Sequence, residues 1–100
     1  MPSTKERKKL MVYLITYDLH KPGQDYEGLY DAIKSASTGA WSHRLDSTWI
    51  IKSTLSVDAV SAKIKEKVDK DDHFIVIEVK NNKQGWLPKD AWTYLNDNIF

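Results

Sequence analysis

The run Tyr13-Leu14-Ile15-Thr16-Tyr17-Asp18-Leu19 limits what this chain can fold into more than any other stretch. In an extended conformation Met11, Tyr13, Ile15, Tyr17 and Leu19 share one face, and Val12, Leu14, Thr16 and Asp18 share the other. Both faces are mostly apolar. A strand of that kind belongs in the middle of a sheet, with helices over one face and further structure over the other. It also ends on a carboxylate, Asp18, immediately before the loop His20-Lys21-Pro22-Gly23.

The segments that follow supply the partners such a strand needs. From Asp25, the residues Tyr26, Leu29, Tyr30 and Ile33 fall at the i, i+3, i+4, i+7 positions of an amphipathic helix, which the Ser/Thr cluster before Gly39 brings to a close. Residues 40–45 and 47–53 read as two β-prone runs joined around Asp46, with Trp49 and Ile51 on one face and Ile50 on the other, so a hairpin is predicted. Ser56 is a good helix N-cap, with Leu55 and Val60 placed as a hydrophobic staple. The second helix is predicted to bury Val57, Val60, Ile64 and Val68 and to stop at residues 69–72. His73 to Val79 then forms a fourth strand, apolar on both faces. In the last segment Pro88 suits the first turn of a short helix, from which Trp92 and Leu95 point back to the body.

Strand, helix, strand, strand, helix, strand is the order of the split βαβ plan. The predicted fold is therefore an α+β, ferredoxin-like (βαββαβ) sandwich spanning residues 11–100, with residues 85–100 as a C-terminal appendage and residues 1–10 as a basic, flexible arm. In that plan the helices cover one sheet face and leave the other open. Apolar residues on the open face lead us to expect a homodimer joined through it.

Composition narrows the functions available. With no cysteine, thiolate metal sites, disulfides and cysteine nucleophiles are excluded. No apolar run is long enough to span a bilayer, so a cytoplasmic protein with no membrane partner is expected. The net charge is +1, but the first ten residues carry +3 and the other ninety −2. A basic stripe able to displace phosphate counterions is confined to the arm, where a solvated terminus is the simpler reading.

Tyr13–Leu19, the hairpin run His43–Ile51 and the fourth-strand run Asp71–Val79 together resemble the CRISPR-associated Cas-two superfamily, itself similar to the virulence-associated D toxins. The ending Gly85–Trp92 resembles its SinR-like phage and bacterial branch. The resemblance covers residues 11 to 95 and implies a ferredoxin-like homodimer with facing sheets. It also implies that the acid closing the first strand, Asp18, lies near the two-fold axis and holds a divalent metal, Mg2+ or Mn2+. Such an ion can activate water against a phosphodiester, so the implied activity is a metal-dependent endonuclease on RNA or DNA, with Asp18 as catalytic and metal-binding residue. Arg44 and Ser47 are the candidates for contacting the phosphate.

Each of these residues also has a structural reading. A strand-end Asp can cap the loop that follows it, and Ser47, Thr48 and Asp46 can simply hold the hairpin turn. His20, His43 and His73 lack a third ligand at helical or hairpin spacing and are not read as a metal site; His73 simply opens the fourth strand. The four tryptophans could stack nucleic-acid bases, but their positions within amphipathic elements favour core or dimer packing. Residues 19–28 carry one Lys against two acids where many CRISPR members have a basic loop. The alternative functions are thus a non-catalytic dimeric scaffold or adaptor and a toxin–antitoxin type regulator. An integrase partner is not specified by one chain.

Overall fold

The computed structural model describes residues 9–19 and 26–100. The basic arm up to residue 8, the loop residue His20 and the predicted helix start at Asp25 lie outside them. Four strands are present: β1 (Met11–Asp18), β2 (Trp41–Leu45), β3 (Thr48–Ser53) and β4 (His73–Val79). They form one sheet in the order β2-β3-β1-β4, and every neighbouring pair is antiparallel. The doubly apolar strand β1 is central, as its composition requires.

Helices α1 (Tyr26–Ala36) and α2 (Val57–Lys65) pack on one face. Tyr13, Ile15 and Tyr17 from β1 meet Trp49 and Ile51 from β3, Leu29, Ile33 and Ala36 from α1, and Val60 and Ile64 from α2. All are buried. Ser56 caps α2 by accepting the Ala59 N–H at 3.2 Å, and Leu55 packs against the core cluster to which Val60 belongs.

The helix stripes depart from expectation at their ends. Tyr26 and Val57, both the first residues of their helices, are exposed. A helical Cβ tilts toward the N-terminus, so a first-turn side chain leans past the end of the packed layer. Helix α2 also ends at Lys65, and Val68 is half-buried in the turn beyond it. That turn is closed by Asp72, whose carboxylate accepts the Asp69 N–H at 2.8 Å.

A buried hydroxyl ties α1 to the sheet. Ser53, at the end of β3, is fully buried; its Oγ donates to the Ala36 carbonyl at 2.6 Å and accepts the Leu55 N–H at 3.0 Å. Ser53→Ala would leave a buried donor and acceptor unmet, an expected loss of about 1–3 kcal/mol. Chemical denaturation should show it as a lower midpoint with an unchanged slope.

The second sheet face carries Val12, Leu14, Thr16 and Asp18 of β1, Ile50 of β3, and Ile75, Ile77 and Val79 of β4. Part of it is covered by the chain itself. After β4 an irregular segment, tightened at its start by the Asn82 N–H donating to the Lys80 carbonyl at 2.8 Å, leads to α3 (Lys89–Tyr94), begun by Pro88, whose carbonyl accepts the Ala91 and Trp92 N–H groups. A π-helical turn, Leu95–Ile99, follows. Ala91, Leu95 and Ile99 are buried, and Leu87 and Leu95 line a small cleft against Ser42, Thr48 and Ile50 of β2 and β3. The appendage thus shields the β2–β3 half, while Ile75 and Ile77 on β4 remain 52% and 45% exposed. No helix among the described residues is long and apolar enough to cross a membrane.

Candidate functional site

Three strands converge where β1 ends. Antiparallel pairing sets His73, the first residue of β4, opposite Asp18. On the other side, the Tyr17 N–H donates to the Ser47 carbonyl at 3.1 Å, which places the β2–β3 turn of Asp46 and Ser47 alongside. An open depression of about 290 Å³ lies here, lined by Thr16, Tyr17, Asp18, His73, Phe74 and Ile75. Asp18 is exposed and belongs to the same alternating set as Leu14 and Thr16, on the face away from the helices.

The turn beside Asp18 is fixed from beneath. The Trp49 indole N–H donates to the Tyr17 hydroxyl at 3.2 Å, and that hydroxyl makes a long 3.5 Å contact to the Asp46 carbonyl. Burial pushes the Tyr17 hydroxyl up to about 12, the Trp49 hydrogen bond opposing the shift, so Tyr17 is a neutral prop rather than a base. His43 Nε2 lies 2.9 Å from the same carbonyl, and the imidazole stacks on Trp49 at 4.1 Å with 12° between planes. His43 is therefore committed to the hairpin. On the open face Thr48 Oγ1 donates to Thr16 Oγ1 at 3.1 Å. This hydroxyl pair next to Asp18 has no local sequence signal, because only the β1–β3 register aligns the two threonines.

The predicted site residues are brought together in part. Asp18 and the Ser47 turn meet at one end of the sheet. Arg44 is on β2, two strand spacings or roughly 10 Å from β1 across the sheet. Its guanidinium is paired with Asp90 on α3 at 2.5 Å, and that hydrogen bond holds the Asp90 carboxyl below the ordinary aspartate range. His20, two residues beyond Asp18, lies outside the described residues.

The donor set bears on the expected metal. Among the described residues no three His, Asp or Glu side chains gather as a metal cage. One chain offers the Asp18 carboxylate with His73 across from it. Magnesium is commonly held by one or two carboxylates with water in its remaining positions, so Asp18 and a second copy's Asp18 would match that chemistry, and one chain supplies half of it.

No protein-family model matches the chain, and no curated protein matches its sequence.

Proposed function

We propose that the chain acts as a homodimer of the Cas-two-like kind and cleaves phosphodiesters of RNA or DNA in a metal-dependent reaction centred on Asp18. The observation that carries this reading is that Asp18 shares its sheet face with Leu14, Ile75 and Ile77, the apolar part of that face that the appendage leaves uncovered. The strand order β2-β3-β1-β4 with α1 and α2 on one face supports the ferredoxin-like plan. A two-fold axis near Thr16 and Ile75 would set the two Asp18 carboxylates face to face.

Magnesium or manganese bound there would supply Lewis acidity and a more acidic water. The chain's own part is to hold the carboxylates. The Tyr17–Trp49 prop fixes the backbone that bears Asp18, and the Thr16–Thr48 pair and Ser47 provide hydroxyls beside the phosphodiester.

The test is cleavage of single-stranded RNA and double-stranded DNA with magnesium, manganese or chelator, comparing wild type with Asp18→Ala at matched dimer content. The expected result is metal-dependent cutting that falls roughly a hundredfold or more in the variant, since several kcal/mol of charge stabilisation is removed at tenfold per ~1.4 kcal/mol. Asp18 is exposed, so folding stability should stay within about 0.5 kcal/mol. Equal cutting by both proteins would remove Asp18 from the chemistry.

One observation favours a second reading, a dimeric scaffold or toxin–antitoxin type regulator that does not cut. Arg44, the cation expected at the phosphate, is engaged by Asp90. An absence of cutting under every metal condition would select it.

A further inference from the structure

The helix formed by α3 and its π turn, residues 89–99, is held to the body differently from α1 and α2. Its buried residues are Ala91, Leu95 and Ile99, a single row at a spacing of four. The main core of Tyr13, Ile15, Trp49, Leu29 and Val60 fills the other side of the sheet. On the open side, Leu95 and Leu87 line a cleft with Ser42, Thr48 and Ile50 that measures about 30 Å³, room for a water molecule, so packing alone does not seal the seam. Pro88, at the N-cap, has no side-chain oxygen to offer the first-turn N–H groups. Residues 80–88 belong to no strand or helix, and all but Lys83 and Leu87 are exposed. The ion pair of Arg44 with Asp90 crosses the seam, and its two side chains are 45% and 71% exposed. Lys83 Nζ stands 4.3 Å from the Phe100 ring centre, which ties the far end of the helix to its own linker rather than to the sheet.

We infer that residues 89–99 are a strap that lifts from the sheet as one unit while the four strands, α1 and α2 stay folded. Three buried apolar side chains hold eleven residues, so the freedom gained on lifting is large against the apolar area re-exposed. Eleven residues are also fewer than the roughly 12–15 that a helix needs to stand alone in water, so lifting and melting are one event. Strand β1, by contrast, is paired on both edges and opens only with the whole sheet. Raised salt favours the lifted state, because it screens an exposed ion pair. With the strap down, Ile75 and Ile77 are the uncovered part of the apolar face; with it up, Ile50 and Thr48 join them. The strap therefore sets how much of that face is on show. This inference stands apart from the cleavage reading, because it uses neither Asp18 nor a second copy of the chain.

The experiment is amide hydrogen exchange of the full chain under native conditions, resolved by residue with NMR and repeated at low urea concentrations. Amides of the strap should be protected but exchange with little dependence on urea, and those of β1 with the steep dependence of global unfolding. Ser53→Ala is the discriminating variant, because it weakens the other side of the sheet. It should speed β1 exchange roughly tenfold. It should leave strap exchange unchanged, since lifting the strap breaks neither hydrogen bond of the Ser53 hydroxyl, to Ala36 or to Leu55. Leu95→Ala should speed strap exchange roughly thirtyfold or more. Raised salt should speed strap exchange in the wild type about two- to fivefold, the range for an exposed ion pair, and have no such effect in Asp90→Ala. The inference is overturned if strap amides are unprotected, if they share the urea dependence of β1, if Ser53→Ala speeds both groups alike, if Leu95→Ala leaves strap exchange unchanged, or if salt acts equally on the wild type and Asp90→Ala.

Discussion

Trp49→Ala is expected to lower the free energy of unfolding by about 3–5 kcal/mol, the range for deleting a large aromatic side chain from a packed core. Trp49, the second residue of β3, is 1% exposed. Tyr30 lies 5.4 Å away by ring centroid, Trp41 5.1 Å and His43 4.1 Å, so truncation leaves a void bordered by three rings that cannot all collapse into it. Its indole N–H also holds the Tyr17 hydroxyl, so Tyr17 would lose the donor that helps place the β2–β3 turn. A domain of this size has about 5–15 kcal/mol in total, and the variant should lose roughly a fifth of it or more. Urea denaturation is the measurement, with Trp49→Phe as companion: a ring that fills most of the volume but lacks the N–H should cost about 1–2 kcal/mol. A change below about 1 kcal/mol for the alanine variant would mean that the cluster is not part of the cooperative core.

Ile77→Lys should change the state of association and leave the folded chain almost as stable as before. Ile77 pairs across the sheet with Leu14 and is 45% exposed in the single chain, so a lysine there can reach water and cost no more than about 0.5 kcal/mol. In a dimer closed over this face the same ammonium would be buried without a partner, a penalty of about 3–5 kcal/mol where a charge is left uncompensated. Sedimentation across a range of concentrations should give a dimer for wild type and a monomer for the variant. The melting temperature should depend on concentration in the first and not in the second. If wild type sediments as a monomer throughout, or if the variant dimerises equally well, the open face does not join two copies.

Much of the architecture is legible in the sequence because β1 has few options. Its two apolar faces demand a central place, and the spacing of Leu29 and Ile33, and of Val60 and Ile64, marks the helix faces that cover it. Ser56 and the Asp46 turn are equally plain, since their effects are local. Features that depend on long-range register are hidden. One is the Thr16–Thr48 pair; another is the irregularity between Ser42 and Leu45 in the pairing of β2 with β3. The reach of the appendage is a third: Trp92 and Leu95 announce a return to the body, but nothing local says that Leu95 settles beside Ile50 and leaves Ile75 and Ile77 uncovered. Of the site residues, Asp18 and Ser47 come to one end of the sheet because Asp18 ends β1 and Ser47 lies in the turn just before β3, the strand paired with β1. The engagement of Arg44 by Asp90 joins positions 46 residues apart and has no local signal.

The central position of β1 also orders events in time. Residues 11–18 leave the ribosome before either strand that pairs with them, and their hydrogen bonds wait for residues 48–53 on one side and 73–79 on the other. Contacts of such sequence separation make the chain fold more slowly than a helical bundle of its size. Until residues 48–53 are made, Val12, Leu14, Ile15 and Tyr17 belong to an apolar segment with two unpaired edges, and until residues 73–79 follow one edge stays open. The segment synthesised first among the strands is thus the one completed last, and the nascent chain, rather than the finished sheet, is where this sequence is most open to association with its own copies.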